Sequence, residues 1–317
     1  MAKLAVVGSL NMDLAVKVAR LPCRGETVSA ERLQISPGGK GANQAVAAAR
    51  LGADVSMVGR IGADSYGEDL LASLRSSGVD VSMVSIDRGC STGLALVTVD
   101  EEALNTIVVY PGANGAFTPQ YIGPAKDSIA SSKAMVAQLE VPLESVESAL
   151  KIARANSVTT ILNPAPAREI PPELLSCVDI MIPNEVEAAA ICGCSAGRPS
   201  EAMEASARLR RMGPERVIIT LGEKGAVYSG PEGGFHVPAF RVDAVDSTGA
   251  GDAFVAGFAV AWIQGFAPEY SMRYACAVGA LATTRMGAQA SFPSADQVAN
   301  LIGGGQSSGQ AESHPGC

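Results

Sequence analysis

Aromatic residues are scarce in this chain: 4% of 317 residues, with a single Trp. That argues against the stacking platforms on which single-stranded nucleic acid is held. Cationic residues are outnumbered, 24 Lys and Arg against 32 Asp and Glu for a formal charge of −8, so nucleic acid is not expected as a partner. Histidines number two, His236 and His314. The seven cysteines (Cys23, Cys90, Cys177, Cys192, Cys194, Cys276 and Cys317) are odd in number and irregular in spacing. Cys192-Gly193-Cys194 is too tight for the usual zinc pairs, and the pattern reads as reduced thiols of a cytosolic protein. Long apolar runs are missing too. Ala253 to Ile263 is too short to cross a bilayer, and Leu4 to Leu10 stops at Asn11 and Asp13, which suits a first buried strand better than a signal peptide. A cytoplasmic protein without a membrane partner is expected.

What is present is apolar and glycine-rich: 47% hydrophobic residues, 18% charged, and 34 glycines. Such a chain buries a sizeable core and is not disordered as a whole. Short β-rich runs alternate with longer helical ones. Buried strands are expected at Leu4–Val7, Val55–Val58, Ala134–Leu139, Thr159–Leu162, Ile180–Ile182 and Val217–Leu221. Helices are expected at Ala42–Leu51, Gly67–Ser76, Leu143–Asn156, Val186–Ile191, Ser200–Met212, Ala250–Gln264, Glu269–Thr284 and Ala295–Leu301. Strands separated by helices of this length predict an α/β fold with right-handed crossovers and a mostly parallel sheet. Two segment pairs break the rhythm: Leu14–Leu21 with Thr27–Ile35, and Gly93–Val99 with Asn105–Val109. Their alternating apolar residues predict antiparallel hairpins with one apolar face, which needs cover as a lid over a ligand or against a second subunit.

Three groups of residues carry chemical information. In Asp246-Ser-Thr-Gly-Ala-Gly-Asp252 a glycine turn runs straight into an apolar helix. Converging N–H groups and the helix dipole suit phosphate or a transferring phosphoryl group, and Asp252 in the first turn can take a proton from a hydroxyl. A plain helix cap is the alternative for Asp252, although a cap does not require the glycines. Gly38-Gly-Lys-Gly-Ala-Asn43 opens a second helix and suits a polar ligand or a tight strand-to-helix turn; it is no Walker motif, since Gly41 follows Lys40 directly. Finally, polar residues stand just past strand ends: Asn11 and Asp13, Glu140, Asn184 and Glu187, Gly222 and Lys224. In a parallel sheet these loops share one edge, where ligands bind in open α/β folds. Each alone reads as a cap or turn; together they offer the amides and carboxylates that a polyhydroxylated substrate needs.

Gly38-Gly-Lys-Gly-Ala-Asn-Gln-Ala-Val-Ala-Ala-Ala-Arg-Leu-Gly52 and Asp246-Ser-Thr-Gly-Ala-Gly-Asp252 resemble the two signatures of the ribokinase-like (PfkB) carbohydrate kinases. The likeness runs from about Lys3 to Leu301 and includes Gly8-Ser-Leu-Asn-Met-Asp13, Gln138-Leu-Glu140, Leu162-Asn-Pro-Ala-Pro-Ala-Arg168, Pro183-Asn-Glu-Val-Glu187, Thr220-Leu-Gly-Glu-Lys-Gly225 and Arg285-Met-Gly-Ala-Gln-Ala-Ser291. The resemblance implies a three-layer α/β sandwich, one domain over 1–302, with a small β-sheet lid from about 14–36 and 91–110. The remainder, 303–317, rich in Gly, Ser, Gln and Pro, is expected to be a disordered tail.

The same resemblance implies ATP-dependent phosphorylation of D-ribose at its 5-hydroxyl, with Mg²⁺ and K⁺. Asn11, Met12, Asp13, Gly39, Lys40, Gly41, Ala42, Asn43 and Glu140 would bind the sugar, although Met12 leaves the pentose preference open. Asp252 would be the general base, with Gly249, Ala250 and Gly251 as an anion hole. Asn184 and Glu187 match the element that organises Mg²⁺ and phosphate. Thr220, Leu221, Gly222, Glu223, Lys224 and Gly225 match the nucleotide loop, and Cys276 lies where a polar residue near adenine is expected. Asp246, Thr248, Ala282, Arg285, Gly287 and Ser291 match a monovalent-cation site. The lid would join a homodimer. The alternatives are a related kinase for 2-deoxyribose, fructose or a nucleoside, and a sugar-binding regulator without turnover; the intact Asp252, Gly249 and Gly251 weigh against the regulator.

Overall fold

The computed structural model describes residues 3–102 and 104–304. Its strands, in chain order, are Lys3–Val7 (β1), Asn11–Lys17 (β2), Arg32–Gly38 (β3), Asp54–Gly62 (β4), Asp80–Asp87 (β5), Gly93–Val99 (β6), Asn105–Tyr110 (β7), Ala134–Ala137 (β8), Thr159–Leu162 (β9), Ile180–Met181 (β10), Arg216–Thr220 (β11), Ala226–Gly230 (β12) and Gly233–Val237 (β13). The α-helices are Lys40–Arg50 (α1), Ser65–Ser76 (α2), Lys126–Ala130 (α3), Leu143–Ala155 (α4), Pro172–Leu175 (α5), Glu185–Cys192 (α6), Pro199–Arg210 (α7), Ala250–Ile263 (α8), Pro268–Ala282 (α9) and Ala295–Gly304 (α10).

The apolar runs without alternation become central strands, because both faces of their sheet are covered. Nine strands are ordered β13-β12-β11-β10-β9-β8-β1-β4-β5, and every pairing is parallel except the two that β12 makes. Alternate residues of β1 enter two cores. Leu4 and Val6 pack with α1, α2, α8, α9 and α10, while Ala5 and Val7 pack with the helices α3 to α7 on the other face. The chain leaves β1 toward β4 and β5, then crosses to β8 and continues the other way. This reversal between β1 and β8 opens a crevice past the carboxyl ends of the strands.

The second sheet has the order β3-β2-β6-β7. The two expected hairpins are antiparallel pairs, and a parallel pairing of β2 with β6 fuses them into one sheet. The first pair is shifted toward the termini of the segment expected for it: β2 begins at Asn11 rather than Leu14, and β3 ends at Gly38 rather than Ile35. Pairing of Asn11 with Gly38 carries the ladder down to the body, so polar residues at the sheet's root extend strands that apolar alternation alone ends sooner. Ile35, Leu14, Leu96 and Val108 stand in one cross-strand row. In that row Ile35, Leu96 and Val108 are exposed.

Helix ends fall within two residues of those expected except at the last helix. There α10 runs on through Gly304, so Gly303 and Gly304 are helical rather than tail, and the tail expected beyond them lies outside the described residues. Strands β5, β12 and β13 and the short helices α3 and α5 were not expected from the sequence pattern. The cysteines among the described residues are free thiols, and no helix there is long and apolar enough to cross a membrane.

Candidate active site

The apolar stretch Ala253–Ile263 buries all round as α8, leaving its first turn at the crevice. Gly249 is its N-cap with φ 77°, a left-handed conformation that a side chain resists, and a Cβ there would lie 2.9 Å from that of Ala288. Of the three residues expected to form the anion hole, Ala250 is committed, its N–H donating to Ser247 O at 3.1 Å. The N–H groups of Gly249, Gly251 and Asp252 donate to no described residue, as is usual at a helix start, and so remain free for an anion.

Asp252 is buried, with both carboxylate oxygens engaged. Asn43 Nδ2 donates to Oδ2 and Gln44 Nε2 to Oδ1, each at 3.0 Å. These amides are the fourth and fifth residues of α1, so the two glycine-rich segments of the sequence meet at one carboxylate. The Lys40 ammonium is held largely out of water, and the negative charge of Asp252 above all, with Glu140, Glu187 and Asp13, pushes its pKa up.

Asn11 and Asp13 reach the site from the root of the lid, not from a loop beyond β1 as the sequence pattern suggested. Asn114, buried beneath Asn11, donates to its Oδ1 at 2.8 Å and brackets the Leu10 peptide with two further bonds. This leaves the Asn11 amide hydrogens for a ligand. The Asp13 carboxylate accepts no hydrogen bond from any described residue. Its pKa is pushed up to about 7 by burial, then by the charges of Glu140 and Asp252, against the opposing pull of Lys40. Gly38 makes room for it, since a Cβ there would lie 2.1 Å from Asp13 Oδ2. Glu140 follows β8 and accepts from Ser9 Oγ and from Lys40 N. Asn114 and Ser9 were not anticipated; the signal for Ser9 was its place directly after β1, where the strand order reverses.

Asn184 and Glu187 form a capping box on α6: Asn184 Oδ1 accepts from the N–H groups of Val186 and Glu187, and Glu187 Oε2 accepts from Asn184 N at 2.9 Å. Burial pushes the Glu187 pKa up, and its Oε1 accepts from no described residue. Asn184 bridges to Thr220 at the end of β11, which brings the segment Thr220–Gly225 beside α6. Within that segment Lys224 Nζ donates to Gly197 O at 2.9 Å, and its own carbonyl bonds His236 Nε2.

One cleft is lined by Lys40, Asn184, Glu187, Thr220, Gly251 and Asp252, with Gly249 among its other walls. Asn163, Ala165, Ile182 and Val255 line it too, none of which was given a site role from the sequence. Met12 and Cys276 do not join it. Met12 packs in the core, on the face of β2 opposite Asn11 and Asp13, and Cys276 is buried in α9, its thiol pushed up to about 12 by burial. The two segments expected to hold a monovalent cation do meet. Asp246 Oδ1 accepts from Thr248 N and Oγ1, while its Oδ2 accepts from Gly287 N at 2.8 Å. Burial alone would raise the Asp246 pKa; these bonds outweigh it and hold the pKa below the usual carboxylate value. Ser291 Oγ donates to Ala288 O, Ala282 is buried at the end of α9, and Arg285 is exposed.

A carboxylate at a glycine-lined helix start, beside a half-buried ammonium and at the switch point of a mostly parallel sheet, can take a proton from a hydroxyl next to N–H groups that suit a phosphoryl oxyanion; no group of three or more metal-ligating side chains occurs among the described residues. Comparison with known proteins agrees. The model of the pfkB family carbohydrate kinases matches residues 1–295. The ribokinase of Haemophilus influenzae is 38% identical over 299 residues, covering 94% of this chain and 98% of that protein. The deoxyribokinase of Salmonella typhi is 37% identical over 295 residues, covering 93% and 96%. The structure of Arabidopsis thaliana ribokinase complexed with ribose and ATP superposes with a TM-score of 0.90 at 33% identity, covering 95% of this chain and 99% of that one. The chain belongs to the pfkB family of carbohydrate kinases.

Proposed function

We propose that the chain transfers the γ-phosphoryl group of ATP to the 5-hydroxyl of D-ribose, with Asp252 as general base. The observation that carries this reading is the position of Asp252: a buried carboxylate at the start of α8, held by two amides, among free N–H groups that suit a phosphoryl oxyanion. The sugar lies between the lid root and α1. Asn11, Asp13, Lys40, Asn43 and Glu140 supply the mixture of donors and acceptors that its hydroxyls require. Asp252 takes the hydroxyl proton as the sugar oxygen attacks the γ-phosphorus and ADP departs. Gly249 and Gly251 N–H groups offset the charge developing on the transferring group, and the lid keeps water from competing as acceptor.

The nucleotide lies along Thr220–Gly225. Asn184 and Glu187 would hold Mg²⁺ beside its phosphates, where the ion supplies charge neutralisation; the buried, unengaged Oε1 of Glu187 suits a hard cation. Asp246 with Thr248, the carbonyls of Ala282, Arg285 and Gly287, and Ser291 form an all-oxygen donor set for K⁺, which would stiffen the loop beside Gly249. The exposed apolar row of the lid sheet is covered by the lid of a second copy, making a homodimer. Likeness to a deoxyribokinase keeps 2-deoxyribose as a second substrate to be compared directly.

Asp252→Asn tests the reading. The amide keeps the shape and cannot take the proton, so kcat falls by about 10²- to 10⁴-fold, while ribose binding by calorimetry stays within a few-fold. A variant that retains more than roughly a tenth of the parent kcat overturns the assignment.

A further inference from the structure

Asp252 is held from behind by a buried chain of amides whose direction has only one solution. Asn163 Nδ2 donates to the Ile182 carbonyl at 2.9 Å, a backbone acceptor that cannot reverse its role. Asn163 therefore turns its Oδ1 toward Gln44, and Gln44 must present its NH₂ group there. That NH₂ has two hydrogens. One goes to Asn163 Oδ1 at 3.1 Å and the other to Asp252 Oδ1 at 3.0 Å. The remaining atom, Gln44 Oε1, accepts from Gln138 Nε2 at 2.6 Å. Every polar atom of the Gln44 side chain is thus committed, and Gln44, Gln138 and Asn163 are all buried. Gln138 bears a cost for its part: its Oε1 is buried without a partner among the described residues. Packing alone gives no reason to keep that orphan acceptor.

Asn43, on the other carboxylate oxygen, is differently placed. Its Nδ2 donates to Asp252 Oδ2 and its Oδ1 accepts from Gln289 Nε2 at 3.2 Å, which leaves one amide hydrogen without a partner among the described residues. Oδ1 of Asp252 therefore has a donor that cannot leave, and Oδ2 has one that can be shared with a ligand.

Resting on Asp252 as the general base, we infer that Gln44 is a positioning residue. It occupies Oδ1, locks the carboxylate's rotation, and makes Oδ2 the atom that receives the sugar hydroxyl's proton as that oxygen bonds to the γ-phosphorus and ADP leaves. Gln138 and Asn163 act one step further back by fixing which way the Gln44 amide points.

Gln44→Met keeps the length and volume of the side chain and removes its hydrogen bonds. It lowers kcat about 10- to 100-fold, the scale on which small misplacements of reacting groups act, with the ribose KM within about threefold of the parent. Gln138→Met, at a side chain that hydrogen-bonds neither Asp252 nor the polar residues placed at the sugar, lowers kcat about three- to tenfold and keeps the proposal testable if Gln44→Met does not fold. The decisive comparison is a double-mutant cycle. In the Asp252→Asn background Gln44→Met costs less than about threefold more, because the group it positions no longer acts as base. A Gln44→Met enzyme with parental kcat, a loss confined to ribose KM, or an equal loss in both backgrounds overturns the role of Gln44. Failure of Asp252 as base shows separately, in retained turnover of Asp252→Asn alone.

Discussion

At the scale of single residues the site is a concentration of like charge. Asp13, Glu140, Glu187 and Asp252 surround one ammonium, Lys40; burial first, and then the charges of Glu140 and Asp252, raise the pKa of Asp13. Its pKa stands at about 7 instead of 3.8, so between those values the folded protein binds a proton that the unfolded chain does not. Its contribution to stability is then complete below about pH 4 and is lost as pH rises through 7. The ligand-free protein is expected to melt lower at pH 8 than at pH 5, and Asp13→Asn to flatten that dependence by roughly 2–6 °C. Parallel thermal scans of the two proteins check it; identical slopes count against the raised pKa of Asp13.

The residues that hold the ligand-facing groups were harder to find than those groups themselves. Asp252 and Lys40 were legible because glycines surround them at helix starts. Gln44, Gln138 and Asn163 fell inside segments that resemble the family, but their role, like that of Asn114, was not legible, since a buried amide announces itself only through its partners, and the side-chain partners here lie about 90 to 210 residues away in sequence.

At the scale of elements, legibility followed burial. Runs apolar on both sides, such as β1, β9 and α8, could be placed within a residue or two from composition and glycine punctuation. The half-exposed edge strands β5 and β13 could not, because solvent on one side lets polar residues into the run. Asn11 and Asp13 read as loop residues for a different reason: they begin β2, an interior strand of the small sheet, but their polar side chains break the apolar alternation. The meeting of the Asp246 turn with the loop after α9 followed from family resemblance and not from any pattern in either segment. It leads to a test: with KCl, NaCl and choline chloride at matched ionic strength, K⁺ is expected to raise kcat most. Asp246→Ala should abolish that response with little change in the ATP KM. Equal rates in the three salts remove the cation site.

At the scale of the whole molecule the lid sheet presents an apolar surface of its own. Ile35, Leu96 and Val108 are 48%, 45% and 63% exposed in one row that runs through Leu14, apolar surface that a second copy would cover. Light scattering at micromolar concentration is expected to give about twice the 32.3 kDa of one chain, and Leu96→Lys with Val108→Lys to give the monomer. A parent protein that is monomeric with ribose bound refutes the lid interface.

The reaction itself is the most direct test. Purified protein is given ATP, Mg²⁺ and K⁺ with D-ribose, 2-deoxy-D-ribose, D-fructose or adenosine, and kcat/KM is ranked from ADP release while phosphorus NMR locates the new ester. Ribose is expected to lead, with the phosphate on its 5-oxygen, and removal of the 2-hydroxyl to lower kcat/KM because a buried polar partner is left unpaired. Preference for another sugar or a nucleoside, a phosphate on a different oxygen, or ADP release indifferent to sugar would contradict it.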